Sequence, residues 1–303
     1  MEKNKVEYRL ATAMGKLFCK LPLNVSLSLG KGIGLLCYYF IPIRKKVAIA
    51  NVQSAFPEKS SRQVKKIVRN TYIHFALNIV EFMRYPVSPP AFIKQHVKFV
   101  NPELLDEAAA GGKGAILMSG HFGNWEIMGA AICGRGHPIV GAVKEQRNNL
   151  VGELINEYRL MVGIEPLTIG MGIRGVLKSL HNNKFVVLVA DQDAHETGVF
   201  VDFLGRPSST APGPATMALK TGAPIIFGTC VRNPKGHHTV YLARIDHGDL
   251  DGVTPENIKI LTQRHATKLE NSIMKNPDHW LWMHKRWKTN PPVMQSAETE
   301  TSS

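Results

Sequence analysis

A chain of 303 residues, 44% hydrophobic and 20% charged, can bury a sizeable core, which excludes a disordered chain and fits one large domain or two small ones. Lysine and arginine total 37 against 24 aspartate and glutamate, and the formal net charge of +13 requires an anionic counterpart: lipid headgroups, nucleic acid or acidic protein. The cysteines Cys19, Cys37, Cys133 and Cys230 form no C-x-x-C pair, which argues against a disulfide framework or structural zinc and for a reducing, cytosol-facing environment. The histidines include no H-E-x-x-H, so no metal is expected.

Taken in chain order, Val25 to Ile43 is interrupted only by Lys31 and runs into Arg44-Lys45-Lys46, the pattern of a membrane-associating segment with a positive cytosolic flank. Gly30, Gly32, Gly34 and Pro42 make it marginal as a spanning helix, and it has no small-residue cleavage site. An anchored or half-inserted helix is therefore expected, with an ordinary buried helix as the alternative. From Ser60 to about Tyr85, Val64, Ile67, Val68, Tyr72, Phe75, Ile79 and Phe82 recur at helical spacing behind a capping box, Ser60-x-x-Gln63. Pro86, Pro89 and Pro90 end that helix.

Beyond it, apolar runs at Ala115 to Met118, Ile139 to Val143, Phe185 to Ala190, Ile225 to Val231 and Val240 to Ile245 read as strands. Helical patterns near Trp125 to Cys133, Leu150 to Val162, Ile173 to Leu180 and Pro214 to Thr221 lie between them. The alternation predicts an α/β fold with a mixed, largely parallel sheet covered by helices. A last helix opens at Thr254-Pro255-Glu256 and runs towards Asn276, and the Ser/Thr/Glu-rich tail after Pro292 is expected to be disordered. The expected organisation is thus a membrane-associating segment over 1–45, a catalytic domain over 46–290 and a tail over 291–303. There is no internal repeat and no P-loop.

The strand Gly114 to Met118 leads into Ser119-Gly120-His121-Phe122-Gly123-Asn124-Trp125-Glu126 and then an apolar helix, so a histidine sits where a strand gives way to a helix. Five residues of helix rotate roughly 500°, so His121 and Glu126 share a face only if His121 lies in the turn before the helix. Gly120 and Gly123 permit such a turn. There a neutral imidazole could take a hydroxyl proton while the Glu126 carboxylate holds its other nitrogen, making the acceptor hydroxyl the nucleophile. No G-x-S-x-G elbow competes for that role. The plainer alternative is a capping His121 and a first-turn Glu126 facing the helix dipole.

Ser119 to Glu126 resembles the H-x-x-x-x-[DE] box of the lysophospholipid acyltransferase superfamily, and as H-F-G-N-W-E it is similar to the bacterial lipid A biosynthesis acyltransferases, the late lauroyl and myristoyl transferases. Lys144 to Ile155, Asp191 to Pro224 and Leu261 to Pro292, ending in HWLWMHKRWKTNPP, extend the resemblance over most of the chain. It implies a glycerolipid-acyltransferase-like fold at the cytosolic face of a Gram-negative inner membrane. The implied reaction moves a fatty acyl group from acyl carrier protein or coenzyme A to a hydroxyl of a lipid A precursor, without cofactor or nucleic acid. A lysophospholipid, ornithine lipid or other glycolipid is the alternative acceptor.

By the same resemblance His121 is the base and Glu126 its orienting partner, while Phe122, Gly123 and Asn124 line the acceptor pocket. Lys144 stands where many members carry Arg; with Arg147 nearby it would meet a phosphate or the thioester oxygen, though without a bidentate fork. Asp191, Gln192 and Asp193 at a strand's carboxyl end, and Phe203, Gly205, Arg206, Ser209 and Thr210 before a helix start, complete the expected substrate-binding set. The sequence departs from the family pattern at Ala194-His195-Glu196, commonly Gly- or Pro-rich, and at Asp202, where Pro is frequent. Trp280, Trp282 and Trp287, interleaved with Lys285, Arg286 and Lys288, suit either a headgroup interface or a core edge.

Overall fold

The computed structural model of the chain describes residues 2–88, 93, 95–143, 146–168 and 172–291. Lys144 and the tail from 292 to 303 lie outside them.

Four helices open the chain: α1 (Glu2–Lys20), α2 (Leu23–Phe40), α3 (Lys45–Ala55) and α4 (Ser61–Met83). The reciprocal capping box at Ser60 and Gln63 starts α4 as the sequence indicates, with the Ser60 amide donating to Gln63 Oε1 at 2.8 Å. Helix α2 lies against α4 so closely that a Cβ on Gly34 would stand 2.7 Å from Ile73 Cα. Gly30 and Gly34, two of the glycines that weaken α2 as a spanning helix, therefore lie on its packing face, while Gly32 is exposed. Among the described residues no single helix is long and apolar enough to cross a membrane; α2 and α3 meet that test only together, bent by 93°.

The rest alternates β1 (Val97–Val100), α5 (Glu103–Ala110), β2 (Ala115–Ser119), α6 (Trp125–Cys133), β3 (Ile139–Val143), α7 (Asn149–Met161), β4 (Ile164–Thr168), α8 (Gly172–His181) and β5 (Phe185–Val189). A hairpin of β6 (Val199–Phe203) and β7 (Arg206–Thr210) follows, then α9 (Gly213–Thr221), β8 (Ile225–Arg232), β9 (His238–Ile245) and α10 (Pro255–Lys275). Seven strands form one sheet in the order β1-β9-β8-β2-β5-β3-β4, parallel throughout except between β8 and β9. The expected class, a mixed and largely parallel sheet under helices, is what the chain adopts.

Strand β2 is the central one of the seven, between β8 and β5, and all five of its residues are buried. Its side chains alternate between two core clusters, Ile116 and Met118 in one, Ala115 and Leu117 in the other, as a strand covered on both faces requires. Burying each of its large apolar side chains stabilises the fold by about 1.5–3 kcal/mol. That packing fixes the strand end from which the site is built.

Candidate active site

Neighbouring parallel strands end at the same rim of the sheet. Ser119 of β2 is in register with Val189 of β5, so His121 and Asp191, each two residues further on, leave the sheet side by side. Asp191 Oδ1 lies 2.7 Å from His121 Nδ1, and Asp191 Oδ2 accepts from the His121 amide at 2.7 Å and from Trp280 Nε1 at 2.8 Å. Asp191 is buried, whereas the His121 side chain keeps 25% of its surface exposed. With Nδ1–H donated to the carboxylate, Nε2 is the nitrogen left with a lone pair.

The charges match this geometry. Burial alone would push His121 down, but the Asp191 carboxylate, by charge and hydrogen bond, and then Glu126 outweigh it and raise the imidazole above its ordinary 6.5. Burial likewise disfavours ionised Asp191, yet His121 and Trp280 hold its carboxyl down at about 2.

Nδ1 is thus held by Asp191, not by Glu126 as the sequence suggested, because a carboxylate on the adjacent strand end is nearer than one in the first turn of α6. Glu126 is instead gripped by Arg159 of α7, Nη2 donating to Oε1 at 2.5 Å and Nε to Oε2 at 3.1 Å, and Trp125 Nε1 donates to it at 3.2 Å. Arg159 was not singled out from the sequence; its position in the last turn of a surface-type helix gives no sign of a buried partner. Trp125 stands edge-on to the imidazole, with ring centres 5.1 Å apart.

The turn behind the imidazole is tightly built. Gly123 has φ +57°, and a Cβ there would stand 1.7 Å from the Cys230 carbonyl oxygen, so no other residue fits. Residues 121–123 pair with the segment at 279–281: the Gly123 amide donates to His279 O at 2.8 Å and the Leu281 amide to His121 O at 3.0 Å. Phe122 and Asn124 were expected to line a pocket but turn into the core, where Asn124 caps α6 through its bond from the Ile127 amide.

Two apolar cavities flank the site on either side of α4. One, of about 560 Å³, is lined by Met14, Ile33, Phe75, Ile79, Gln192 and His284 among others. The second, of about 250 Å³, is lined by Phe75, Ile79, Trp125, Glu126, Leu154 and Arg159 among others. Both are of the size and character that hold extended apolar ligands.

The remaining candidates are dispersed. Arg147 is exposed in the loop before α7, and Gln192 joins the larger cavity. Asp193 accepts from the Thr289 hydroxyl at 2.9 Å. Phe203 is buried against Trp280, and Gly205, with φ +73°, turns the β6–β7 hairpin. Arg206 stacks over Trp287 at 4.8 Å. Ser209 and Thr210 lie in β7 as buried residues rather than open to a ligand: the Ser209 carbonyl and the Thr210 hydroxyl hold the buried Arg286 guanidinium. Trp280 and Trp282 are fully buried, so the core-edge alternative describes them. One group with metal-ligand chemistry occurs among the described residues, His74, Asp278 and His279; Asp278 is already engaged by Asn70 at 3.1 Å and His279 at 3.0 Å.

A family model described as bacterial lipid A biosynthesis acyltransferase matches residues 4–289. The lipid A biosynthesis lauroyltransferase of Escherichia coli K12 is 26% identical over 285 residues, covering 92% of this chain and 90% of that protein. The lipid A biosynthesis palmitoleoyltransferase of the same organism is 23% identical over 91% of this chain and 89% of its own length. The phosphatidylinositol mannoside acyltransferase of Mycobacterium tuberculosis is 29% identical over 187 residues, 60% of this chain, and the match spans 57% of that relative's length.

Proposed function

Since the chain belongs to the bacterial lipid A biosynthesis acyltransferase family, we propose that it is an O-acyltransferase moving a fatty acyl chain from an acyl carrier protein or coenzyme A thioester to a hydroxyl of a lipid A precursor. The observation that carries this reading is the imidazole of His121, braced by Asp191 at the rim of the sheet, whose neighbours Trp125, Glu126, Gln192 and His284 line two apolar cavities. Acyl transfer to an alcohol needs a proton acceptor next to space for hydrocarbon, and both meet here.

In this reading His121 Nε2 takes the proton of the acceptor hydroxyl as its oxygen attacks the thioester carbonyl carbon. The tetrahedral oxyanion collapses, the C–S bond breaks, the imidazolium returns its proton to the departing sulfur, and an ester remains. Asp191 keeps the imidazole in one tautomer and stabilises the imidazolium. Glu126 adds negative charge near the imidazole from the wall of the smaller cavity, its carboxylate fixed by Arg159.

The exposed apolar residues support work at a bilayer surface. Val6, Leu10, Met14 and Leu17 form one stripe on α1, and Val25, Leu29, Ile33 and Leu36 another on α2. Basic Lys3, Lys5, Arg9, Lys16, Lys20 and Lys31 lie on the same two helices, as binding to an anionic interface requires. Met14 and Ile33 belong both to these stripes and to the larger cavity, which gives lipid tails a route from the bilayer to Gln192 and His284 beside the site. The double variant Leu10→Glu, Leu36→Glu is expected to fold normally and to lose vesicle affinity by at least about tenfold, from the apolar burial forfeited at each leucine. Undiminished co-sedimentation with phosphatidylglycerol vesicles would refute the docking face.

A second reading, acylation of another glycolipid, draws on the mycobacterial relative, which is named as a phosphatidylinositol mannoside acyltransferase. The deciding assay incubates purified protein with acyl carrier protein and coenzyme A thioesters against tetra- and penta-acylated lipid A precursors and a panel of glycolipids. A mass increase of one acyl chain on a lipid A precursor is expected. Product on other acceptors only would move the protein to the second reading, and no acyl product at all would defeat both.

A further inference from the structure

The mechanism above does not use the buried ion pair behind the 121–124 turn. Glu81 of α4 and Arg232 at the end of β8 are both buried, and the guanidinium grips the carboxylate with both terminal nitrogens. His238 Nε2 lies 3.5 Å from the same carboxylate. Burial alone would raise the Glu81 carboxyl, but Arg232 and then His238 hold it down at about 2, so the pair stays charged.

Both ends of this pair reach the turn that carries His121. Glu81 Oε2 accepts from Asn124 Nδ2 at 2.6 Å. Arg232 Nη2 donates to Asn78 Oδ1 at 3.3 Å, and Asn78 Nδ2 in turn donates to the Gly123 carbonyl at 2.5 Å. The Asn124 amide donates to Cys230 O at 3.0 Å, two residues before Arg232 on the same strand. The Gly123-Asn124 peptide is therefore clamped from α4 and β8 through one shared charge pair.

A buried ion pair is a poor stabiliser, since matched apolar side chains in its place are often neutral or better. Its value lies in the one geometry it accepts. We propose that Glu81 and Arg232 are positioning residues for acyl transfer, holding the 121–124 turn so that the His121 imidazole stays seated on Asp191 and aimed at the acceptor hydroxyl. This rests on the reading of His121 as the base. A displacement of about 1 Å at such a group costs on the order of 10²-fold in rate.

The test replaces the pair by apolar side chains of similar length, Glu81→Met with Arg232→Met, in the full-length protein. The expected result is a cooperative thermal transition near that of wild type, kcat about 10²-fold lower, KM for the thioester unchanged, and the acid limb of the pH profile shifted to lower pH as the imidazole loosens from Asp191. A role confined to stability would move the thermal transition and leave kcat and the limb in place, and that outcome overturns the proposal. Should the double variant fail to fold, Arg232→Lys decides: it keeps the charge on Glu81 but gives up the fork that also reaches Asn78, so kcat should fall about tenfold with KM retained. Wild-type kcat in folded Arg232→Lys overturns the proposal. His121→Ala with wild-type turnover would instead remove the reading on which it stands.

Discussion

Purified His121→Ala should retain the native circular dichroism spectrum and thermal transition yet transfer acyl groups about 10²- to 10⁴-fold more slowly, the usual worth of a positioned general base. The side chain is partly exposed and its removal opens no core cavity, so the loss falls on chemistry rather than folding. The thioester's KM should change little, since the imidazole acts on the acceptor proton and not on the donor. Single-turnover measurement with a saturating acyl thioester isolates that step. Turnover within a few-fold of wild type would show that the hydroxyl is activated elsewhere.

Asp191→Asn should be nearly as severe, because the amide keeps the shape of the carboxylate but not its charge. In the serine protease triad the corresponding change costs about 10⁴-fold through the wrong imidazole tautomer. The pH dependence gives the sharper test. His121 must be neutral to accept a proton, and its folded pKa is raised above 6.5, so wild-type kcat/KM should climb with pH through a midpoint above 6.5. In Asp191→Asn the desolvation of the imidazole is no longer outweighed by that carboxylate, so the limb should move to lower pH while the plateau falls. The same pair has a stability signature. The contribution of His121 is complete below 6.5 and is lost as pH rises through its folded pKa; that of Asp191 is complete above about 3.9 and is lost as pH falls towards about 2. An acid limb unmoved by the substitution would separate Asp191 from the titration of His121.

The strands of the sheet core, the capped helix α4 and the last helix were legible because their apolar spacing and end signals are local. Strands β1 and β4 and the β6–β7 hairpin were not: Pro166 interrupts β4, and Pro207 with Ser208 to Thr210 makes β7 read as a polar loop. In the site, the glycine-bracketed His121 at a strand end could be read from the chain, and Asp191 stood out as a candidate at another strand end. That the two meet depends on β5 lying next to β2, a fact of strand order that spacing along the chain does not carry. Glu126 was given the orienting role through the H-x-x-x-x-E box and the resemblance it carries, while its observed partner, Arg159, lies 33 residues away on another helix. Glu81, Asn78 and Arg232 escaped notice for the same reason, each being an ordinary polar residue until α4 and β8 are brought together.

The segment at His279 to Leu281 takes part in the site from the far end of the chain, through the backbone of the 121–123 turn and the Trp280 indole on Asp191. During synthesis the sheet and its imidazole are made long before these residues leave the ribosome. The reactive centre is therefore unfinished until residues 279–281 emerge, when Asp191 gains the Trp280 indole and the 121–123 turn its backbone partners, so a chain cut short before His279 would lack both supports and lose activity.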